Sequence, residues 1–345
     1  MRHVETVPVK DPFGVSADPV MTSLAIALDP DEAQRQFADR LGHLAGERGR
    51  LGLRGIRVTR YKPGRRCVVE YDLEVERQDA PPQTIALIGK VRGRRFGKSG
   101  YRLLKAFWEA GFEADAPDGI CVPEPAGTIS KFRMWLQRKV PGQTATDLVT
   151  GCVGEDLARR IAESAHKVHM AEVTTEHRQT MADELRILHE RLPEVARERP
   201  QWERRIARVL GACDRLGAAT REPDPRGIHR DFYADQVIVD NERMHLIDFD
   251  LYSEGDPALD IGNFLGHLTE QSLRTLGDPG ALASVEGALE DRFVELSGEA
   301  VRPAVRAYSD LTLARHVHLS TLFPTRRAFT GDLLELCEER LGVRC

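Results

Sequence analysis

The sequence predicts an α+β fold, with a small antiparallel β-rich part over residues 1–140 and a larger helical part over residues 141–345. Three observations predict it. Apolar residues alternate with period two at Val69, Tyr71, Leu73 and Val75, and a further apolar strand follows over 85–91. Helical periodicity takes over at 154–171, 180–192 and 201–218. It breaks once, over 227–252, where two short apolar runs flank a turn at Asp240-Asn241. Strands gathered at one end and helices at the other make an α+β arrangement.

Taken in order, residues 1–27 show little periodicity and read as a loose lead-in. A helix is expected from Asp29-Pro30, with Asp29 as its cap, Pro30 in its first turn, and Phe37, Leu41 and Leu44 as its apolar stripe. Strands are expected over 56–60 and 67–75, joined by the tight turn Lys62-Pro63-Gly64-Arg65-Arg66. A second turn spans 78–83, and the third strand, over 85–91, contains Lys90. A helix over 99–110 points Leu103, Leu104 and Phe107 inward, and strands follow at 120–123 and 133–140. The joint lies near Val140-Pro141-Gly142, and helices resume from about 258 to the end.

Composition narrows the class. Hydrophobic residues make up 41% and charged residues 30% of 345, an ordinary globular balance. No apolar run approaches the ~20 residues of a membrane-spanning helix, and the N-terminus lacks the apolar core of a secretory signal. The six cysteines, Cys67, Cys121, Cys152, Cys213, Cys337 and Cys345, are too scattered for a zinc clip or a disulfide scaffold, so a reducing cytoplasm fits best. The net charge of −5 conceals an asymmetry. Residues 1–140 carry 24 Lys/Arg against 18 Asp/Glu, and residues 141–345 carry 25 against 36. A basic half suits an anionic ligand and an acidic half a cationic one. Arg92, Arg94 and Arg95 form too small a cluster for nucleic acid on an acidic chain. His166, His169 and His189 lie on helices and read as surface or packed residues. Trp108, Trp135 and Trp202 read as packing residues.

The chemistry concentrates in one stretch. Gly227-Ile228-His229-Arg230-Asp231 leads through Gln236 to an apolar strand, and after the turn comes Ile247-Asp248-Phe249. Phosphoryl transfer needs positioning and charge neutralisation above all. One carboxylate must orient the attacking hydroxyl and accept its proton, a second must hold Mg²⁺ against the nucleotide phosphates, and a side-chain oxygen on the same loop can complete the metal shell. Asp231, Asp248 and Gln236 fit those three jobs in that order. No G-x-x-x-x-G-K-[ST] sequence occurs, which excludes a P-loop.

The run from His229 to Gln236, with Ile247-Asp248-Phe249 and then Gly255-Asp256-Pro257-Ala258-Leu259-Asp260, resembles the aminoglycoside phosphotransferase and choline-kinase-like family. That resemblance implies a two-lobed, protein kinase-like fold with ATP and Mg²⁺ held between the lobes. It implies Lys90 as the phosphate-orienting lysine, with a glutamate partner on the next helix, Glu109 by position or Glu113 as a weaker choice. It implies that Asp260 braces the catalytic loop, and that backbone groups of the strand-to-linker stretch, including Arg138 and Val140, meet the adenine edge. The tip with Lys62, Gly64 and Arg65 takes the place of the phosphate-covering loop, where backbone N–H groups and guanidinium charge could both meet phosphates. One departure stands inside the motif. The family usually has Asn where this chain has Gln236, which offers the same carbonyl oxygen on a longer stem and so changes the spacing available to a metal that demands near-octahedral geometry. The expected acceptor is a small-molecule hydroxyl compound, an aminoglycoside, amino alcohol or sugar, cationic if the acidic half is its seat. A nucleotide-binding scaffold without turnover is the alternative from another class. A metal hydrolase built on His229, Asp231 and Asp248 ranks last, because only His245 offers a further ligand.

Overall fold

The computed structural model describes residues 6–46, 48–78, 80–93, 99–151 and 153–344. Arg94, Arg95, Cys152 and Cys345 lie outside the described residues. The chain divides into two compact units, Met1–Pro141 and Gly142–Cys345.

The first unit is built on a six-stranded sheet. Its strands are β1 (Val9–Lys10), β2 (Arg50–Lys62), β3 (Arg66–Arg77), β4 (Ala80–Arg92), β6 (Pro125–Ile129) and β7 (Met134–Arg138), and a two-residue strand, β5 (Ile120–Cys121), precedes β6. The order is β1-β2-β3-β4-β7-β6, antiparallel except for the β1–β2 pair. Alternation in β3 buries Cys67, Val69, Tyr71, Leu73 and Val75 on one face. Helices α1 (Ser23–Ala27) and α2 (Pro30–Arg40) join this core, with the Phe37 ring edge-on to Tyr71 and the Tyr71 hydroxyl donating to the Ala27 carbonyl. The Asp29 carboxylate caps α2 by accepting from the Glu32 amide at 2.9 Å, as the sequence predicts. Helix α3 (Ser99–Glu109) is inserted between β4 and β5 in the chain.

Several expectations about this unit need correcting. The supposed lead-in is structural: Val15, Met21 and Leu24 are core residues, and Val9 pairs with Ile56. Solitary apolar anchors leave no periodicity to read. Strand β2 is longer than expected because the register shifts between Leu53 and Gly55 and again between Val58 and Arg60, which breaks the period-two pattern along the strand. The turn expected over 78–83 is tighter, since Ala80 already pairs with Arg77 and Gln83 with Val75. Strand β6 escaped notice because it carries Pro125 and Gly127. It lies at the sheet edge and shifts register at that point, where proline and glycine are tolerated.

The second unit holds β8 (Gln143–Thr144), β9 (Arg226–Ile228), β10 (Val237–Asp240), β11 (Arg243–Leu246) and β12 (Ser253–Gly255). Its helices are α4 (Ala145–Leu148), α5 (Gly154–Met170), α6 (Met181–Glu198), α7 (Glu203–Ala219), α8 (Pro257–Leu276), α9 (Ala283–Ser297), α10 (Arg302–Leu322) and α11 (Thr330–Arg340). Helix α6 starts on a capping box between Thr180 and Asp183 and continues past Pro193, with Val195 buried beyond it. Strands β10 and β11 form the expected hairpin, turned by Asn241 at φ 54°. β9 and β12 form a separate antiparallel pair. Helices α8 and α10 approach closely through Gly262 and Gly266. A Cβ on Gly262 would come within 2.5 Å of the Tyr308 Cβ, and one on Gly266 within 2.7 Å of the Thr312 Cβ. That approach sets Thr312 and Arg315 of α10 against Asn263 of α8.

Candidate active site

In the second unit the loop between β9 and β10 carries His229, Arg230, Asp231 and Gln236. The residue before Asp231 is strained: Arg230 has φ 70°, a left-handed conformation that costs an L-residue with a side chain on the order of 1–3 kcal/mol unless its surroundings impose it. Asp260, fully buried in the first turn of α8, imposes it. One carboxylate oxygen accepts from the Arg230 amide at 2.7 Å, and the other accepts from the His229 amide at 2.8 Å and meets the His169 Nε2 at 2.9 Å. The brace that the family resemblance implied for Asp260 is therefore a set of hydrogen bonds. His169, read as a packed residue, is in fact a buried partner of that brace, edge-on to the Phe293 ring. His189, by contrast, pairs with Asp214 in an exposed contact.

Asp248 is tied to the same loop. It follows β11 at φ 64°, the second strained non-glycine residue here. The His229 Nε2 lies 2.9 Å from the Ile247 carbonyl, and the Ile247 amide donates to the Gln236 carbonyl at 3.0 Å. The backbone thus ties Gln236 directly to the residue preceding Asp248. Gln236 is buried and Asp248 half-buried. A carboxylate and an amide oxygen are the hard oxygen donors that Mg²⁺ takes. Among the described residues no group of three or more His, Cys, Asp or Glu side chains could hold a metal, so the imidazole-rich site that a metal hydrolase would want is missing from them. His245 is buried, and that burial pushes its pKa down.

Beyond Asp231 the loop begins an aromatic stack. The Tyr233 ring lies on His267 of α8 at 4.4 Å and 16°, and His267 meets His316 of α10 at 4.4 Å and 85°. Burial holds both histidines well below the usual imidazole range, His316 at about 3, with Arg315 and Arg326 adding repulsion.

The first unit supplies the other residues that the sequence singles out. Lys90 projects from the face of β4 opposite the core, in register with Val68 and Trp135, and its Nζ lies 5.0 Å from the Trp135 ring centre. Glu109 is given by the structure to Lys105, at 2.7 Å on an exposed helical face, one turn away. This corrects the expectation that Glu109 serves Lys90: spacing along α3 favours the i,i+4 pair. Glu70 was missed. It sits buried on the same face of the sheet as Lys90, two positions along β3, and accepts from the Lys139 Nζ at 2.9 Å. The linker amides are mostly committed, Arg138 to the Glu124 carbonyl and Lys139 to the Ala86 carbonyl, both at 2.8 Å. The Arg138 amide is therefore spent on the Glu124 carbonyl.

The hairpin tip Lys62–Arg66 also departs from expectation. Gly64 has φ 61°, and its amide donates to the Asp18 carboxylate at 2.8 Å. The Arg65 amide closes the turn on the Lys62 carbonyl at 3.0 Å. The tip's amides are therefore spent within the protein, and the expectation that the Gly64 amide meets a phosphate is corrected. Asp18 itself is buried and also accepts from the Tyr61 hydroxyl at 2.6 Å and from the Val20 and Met21 amides. These bonds hold its pKa far below the usual carboxylate range, the Tyr61 hydroxyl contributing most. Nothing in the periodicity of residues 1–27 marks Asp18. Asp260 was legible from the family motif, whereas Asn263 was missed, and its one signal is its position three residues further along the same helical face.

The phosphotransferase enzyme family model matches residues 101–301, the stretch that includes His229 through Asp260. The chain belongs to the phosphotransferase enzyme family. This phosphotransferase is a small-molecule kinase with a protein kinase-like α+β fold. Its structure resembles a choline/ethanolamine kinase family protein from Mesorhizobium loti, at 16% identity and a TM-score of 0.53, over 90% of this chain and 94% of that one. It also resembles a thermostable mutant of the aminoglycoside phosphotransferase APH(4)-Ia, solved with AMP-PNP and hygromycin B, at 14% identity and a TM-score of 0.56, over 90% and 98% of the two chains. A third likeness is to the spectinomycin phosphotransferase APH(9)-Ia with ADP and spectinomycin, at 10% identity and a TM-score of 0.56, over 90% and 97%. No curated protein matches the phosphotransferase by sequence. No helix among its described residues is long and apolar enough to cross a membrane.

Proposed function

We propose that this phosphotransferase moves the γ-phosphoryl group of ATP to a hydroxyl group of a small molecule, with Asp231 as the base. The observation that carries the reading is the geometry of the loop: Asp231 follows a residue held at positive φ by Asp260, and Gln236 of the same loop is bonded to the residue before Asp248. The acceptor oxygen attacks the γ-phosphorus in line, its proton passes to the Asp231 carboxylate, the new P–O bond forms, and the bond to ADP breaks with the electron pair staying on ADP. Asp248 and the Gln236 side-chain oxygen would hold Mg²⁺, which supplies charge neutralisation at the phosphates. Lys90 and the side chains of Lys62 and Arg65 are proposed to bind the phosphates as point charge and fork respectively, and Val140 to meet the adenine edge.

The acceptor is proposed to lie beside the loop where Tyr233 stacks on His267. The excess of acidic residues over 141–345 favours a cationic amino alcohol, aminoglycoside or amino sugar. The ligands of the similar structures, hygromycin B, spectinomycin and, for a glucosamine kinase, glucosamine, support a panel of that chemistry. The test is ATP consumption across aminoglycosides, amino alcohols and sugars, with Asp231→Asn beside the wild type. Turnover of one acceptor that disappears in the variant is expected. Turnover that survives Asp231→Asn would remove the base, and tight ATP binding with no turnover on any acceptor would favour a scaffold.

A further inference from the structure

Asp260 grips the loop from the side of His229 and Arg230. A second group of buried side chains grips it from the other side of Asp231, and it draws on three helices. The Phe232 carbonyl, immediately after Asp231, accepts from the Asn263 Nδ2 at 2.9 Å. The Asn263 Oδ1 accepts from an Arg315 guanidinium N–H, and from the Thr312 hydroxyl at 3.4 Å. The same guanidinium donates to Glu184 of α6 at 3.2 Å. Glu184 also accepts from the Gln179 amide at 2.8 Å, and lies 3.5 Å from the Arg230 guanidinium, immediately before Asp231. Asn263 is 1% exposed and Glu184 6%, so water competes little for either.

We propose that Asn263, held by Arg315 and Glu184, is a positioning residue for Asp231: the group forms a closed clamp on both chain neighbours of the base. This rests on Asp231 being the base. Three features point to placement beyond simple packing. The clamp ends on a backbone carbonyl, which fixes the path of the chain at that point. It returns through Glu184 to Arg230, the residue at positive φ, so that both flanks of Asp231 are bound to one ionic centre. And Gly262 and Gly266, by admitting α10 close to α8, set the distance over which Arg315 reaches Asn263. A reacting group displaced by about 1 Å can lose on the order of 100-fold in rate, so a clamp of this kind acts on turnover while leaving nucleotide binding alone.

The decisive variant is Asn263→Asp. It keeps an oxygen for Arg315, and makes that contact an ion pair, but replaces the donor to the Phe232 carbonyl with an acceptor. The assay is release and transfer of the ATP γ-phosphoryl group, with the best acceptor of the panel above, or with water if none is turned over. The expected result is kcat lowered by about 10- to 100-fold, KM for ATP within about threefold of wild type, and no further fall when Asn263→Asp is added to Asp231→Asn. If Asn263→Asp melts below the assay temperature, Arg315→Lys gives the same readout, since the lysine keeps the charge but cannot span Glu184 and Asn263 together. Turnover within twofold of wild type in the folded variant overturns the clamp while Asp231→Asn is left with only a small residual rate. So does an undiminished effect in the Asp231→Asn background. An active Asp231→Asn enzyme overturns the base, and the clamp with it.

Discussion

Replacing Asp260 by Asn removes a charge from the centre of the brace while keeping its shape almost unchanged. The carboxylate accepts three hydrogen bonds, from the His229 and Arg230 amides and from His169, and is fully buried. An asparagine amide has one oxygen. If that oxygen faces His229 and His169, its NH₂ group faces the Arg230 N–H, donor against donor. If it turns the other way, two donors lose their acceptor. The smaller loss is one charge-assisted hydrogen bond, about 1.5–3 kcal/mol, together with an unpaired buried amide at about 1–3 kcal/mol. A total of roughly 2.5–6 kcal/mol follows, a large part of the ~5–15 kcal/mol stability of an ordinary domain. At about 2–4 °C per kcal/mol this lowers the melting temperature by roughly 5–24 °C. The same variant frees Arg230 from the bond that holds it at positive φ, so kcat should fall along with stability. Differential scanning calorimetry of the full chain, with far-UV circular dichroism to confirm folding, measures the first effect, and γ-phosphoryl transfer from ATP measures the second. A melting temperature within 2 °C of wild type, with kcat unchanged, would refute the reasoning, because it would mean that the buried carboxylate holds nothing that an amide cannot.

Other perturbations probe separate parts of the molecule. Asp18→Asn weakens the acceptor that holds Gly64 and Tyr61, so KM for ATP should rise if the tip's cations bind phosphate, and steady-state kinetics at varied ATP reads it. Because the Asp18 pKa is lowered below its ordinary 3.8, its contribution to stability is complete above that pH and fades as the pH falls below it, so wild type and variant should converge in acid melts. His316 is held neutral to about pH 3 against an ordinary 6.5, so the unfolded chain takes up a proton first as the pH falls. Stability should therefore drop between pH 6.5 and 3 at up to about 1.4 kcal/mol per pH unit from this one group, and His316→Gln should flatten that slope in denaturant titrations. Gly262→Ala drives a methyl group to 2.5 Å from the Tyr308 Cβ and 2.6 Å from the Val305 carbonyl, and urea unfolding should show a loss of about 1–3 kcal/mol.

The candidate site was legible in the sequence because its residues are largely local in the chain. His229, Arg230, Asp231 and Gln236 share one loop, and the β10–β11 hairpin needs only a short turn at Asn241 to bring Ile247 back against Gln236. Spacing alone carries that information. Alternation in β3 and the 3.6-residue period of the long helices were equally local, and they fixed the α+β class. What the sequence could not express was long-range pairing of polar groups. Asp18 lies more than forty residues from Gly64, Glu184 more than a hundred from Arg315, and His169 some ninety from Asp260; a hydrogen bond leaves no periodic trace in the chain that makes it. The same cause explains the errors. Glu109 was assigned to Lys90 by position on a helix, but its charge went to the nearer Lys105, and Gly64 was offered to phosphate while its amide already had a buried carboxylate. The sequence by itself determined the α+β class and the phosphotransferase family, and it offered the residues proposed for the reaction. Only the tertiary structure decided what holds them in place, because burial removes water as a competitor and so makes each distant polar pair a choice of the fold.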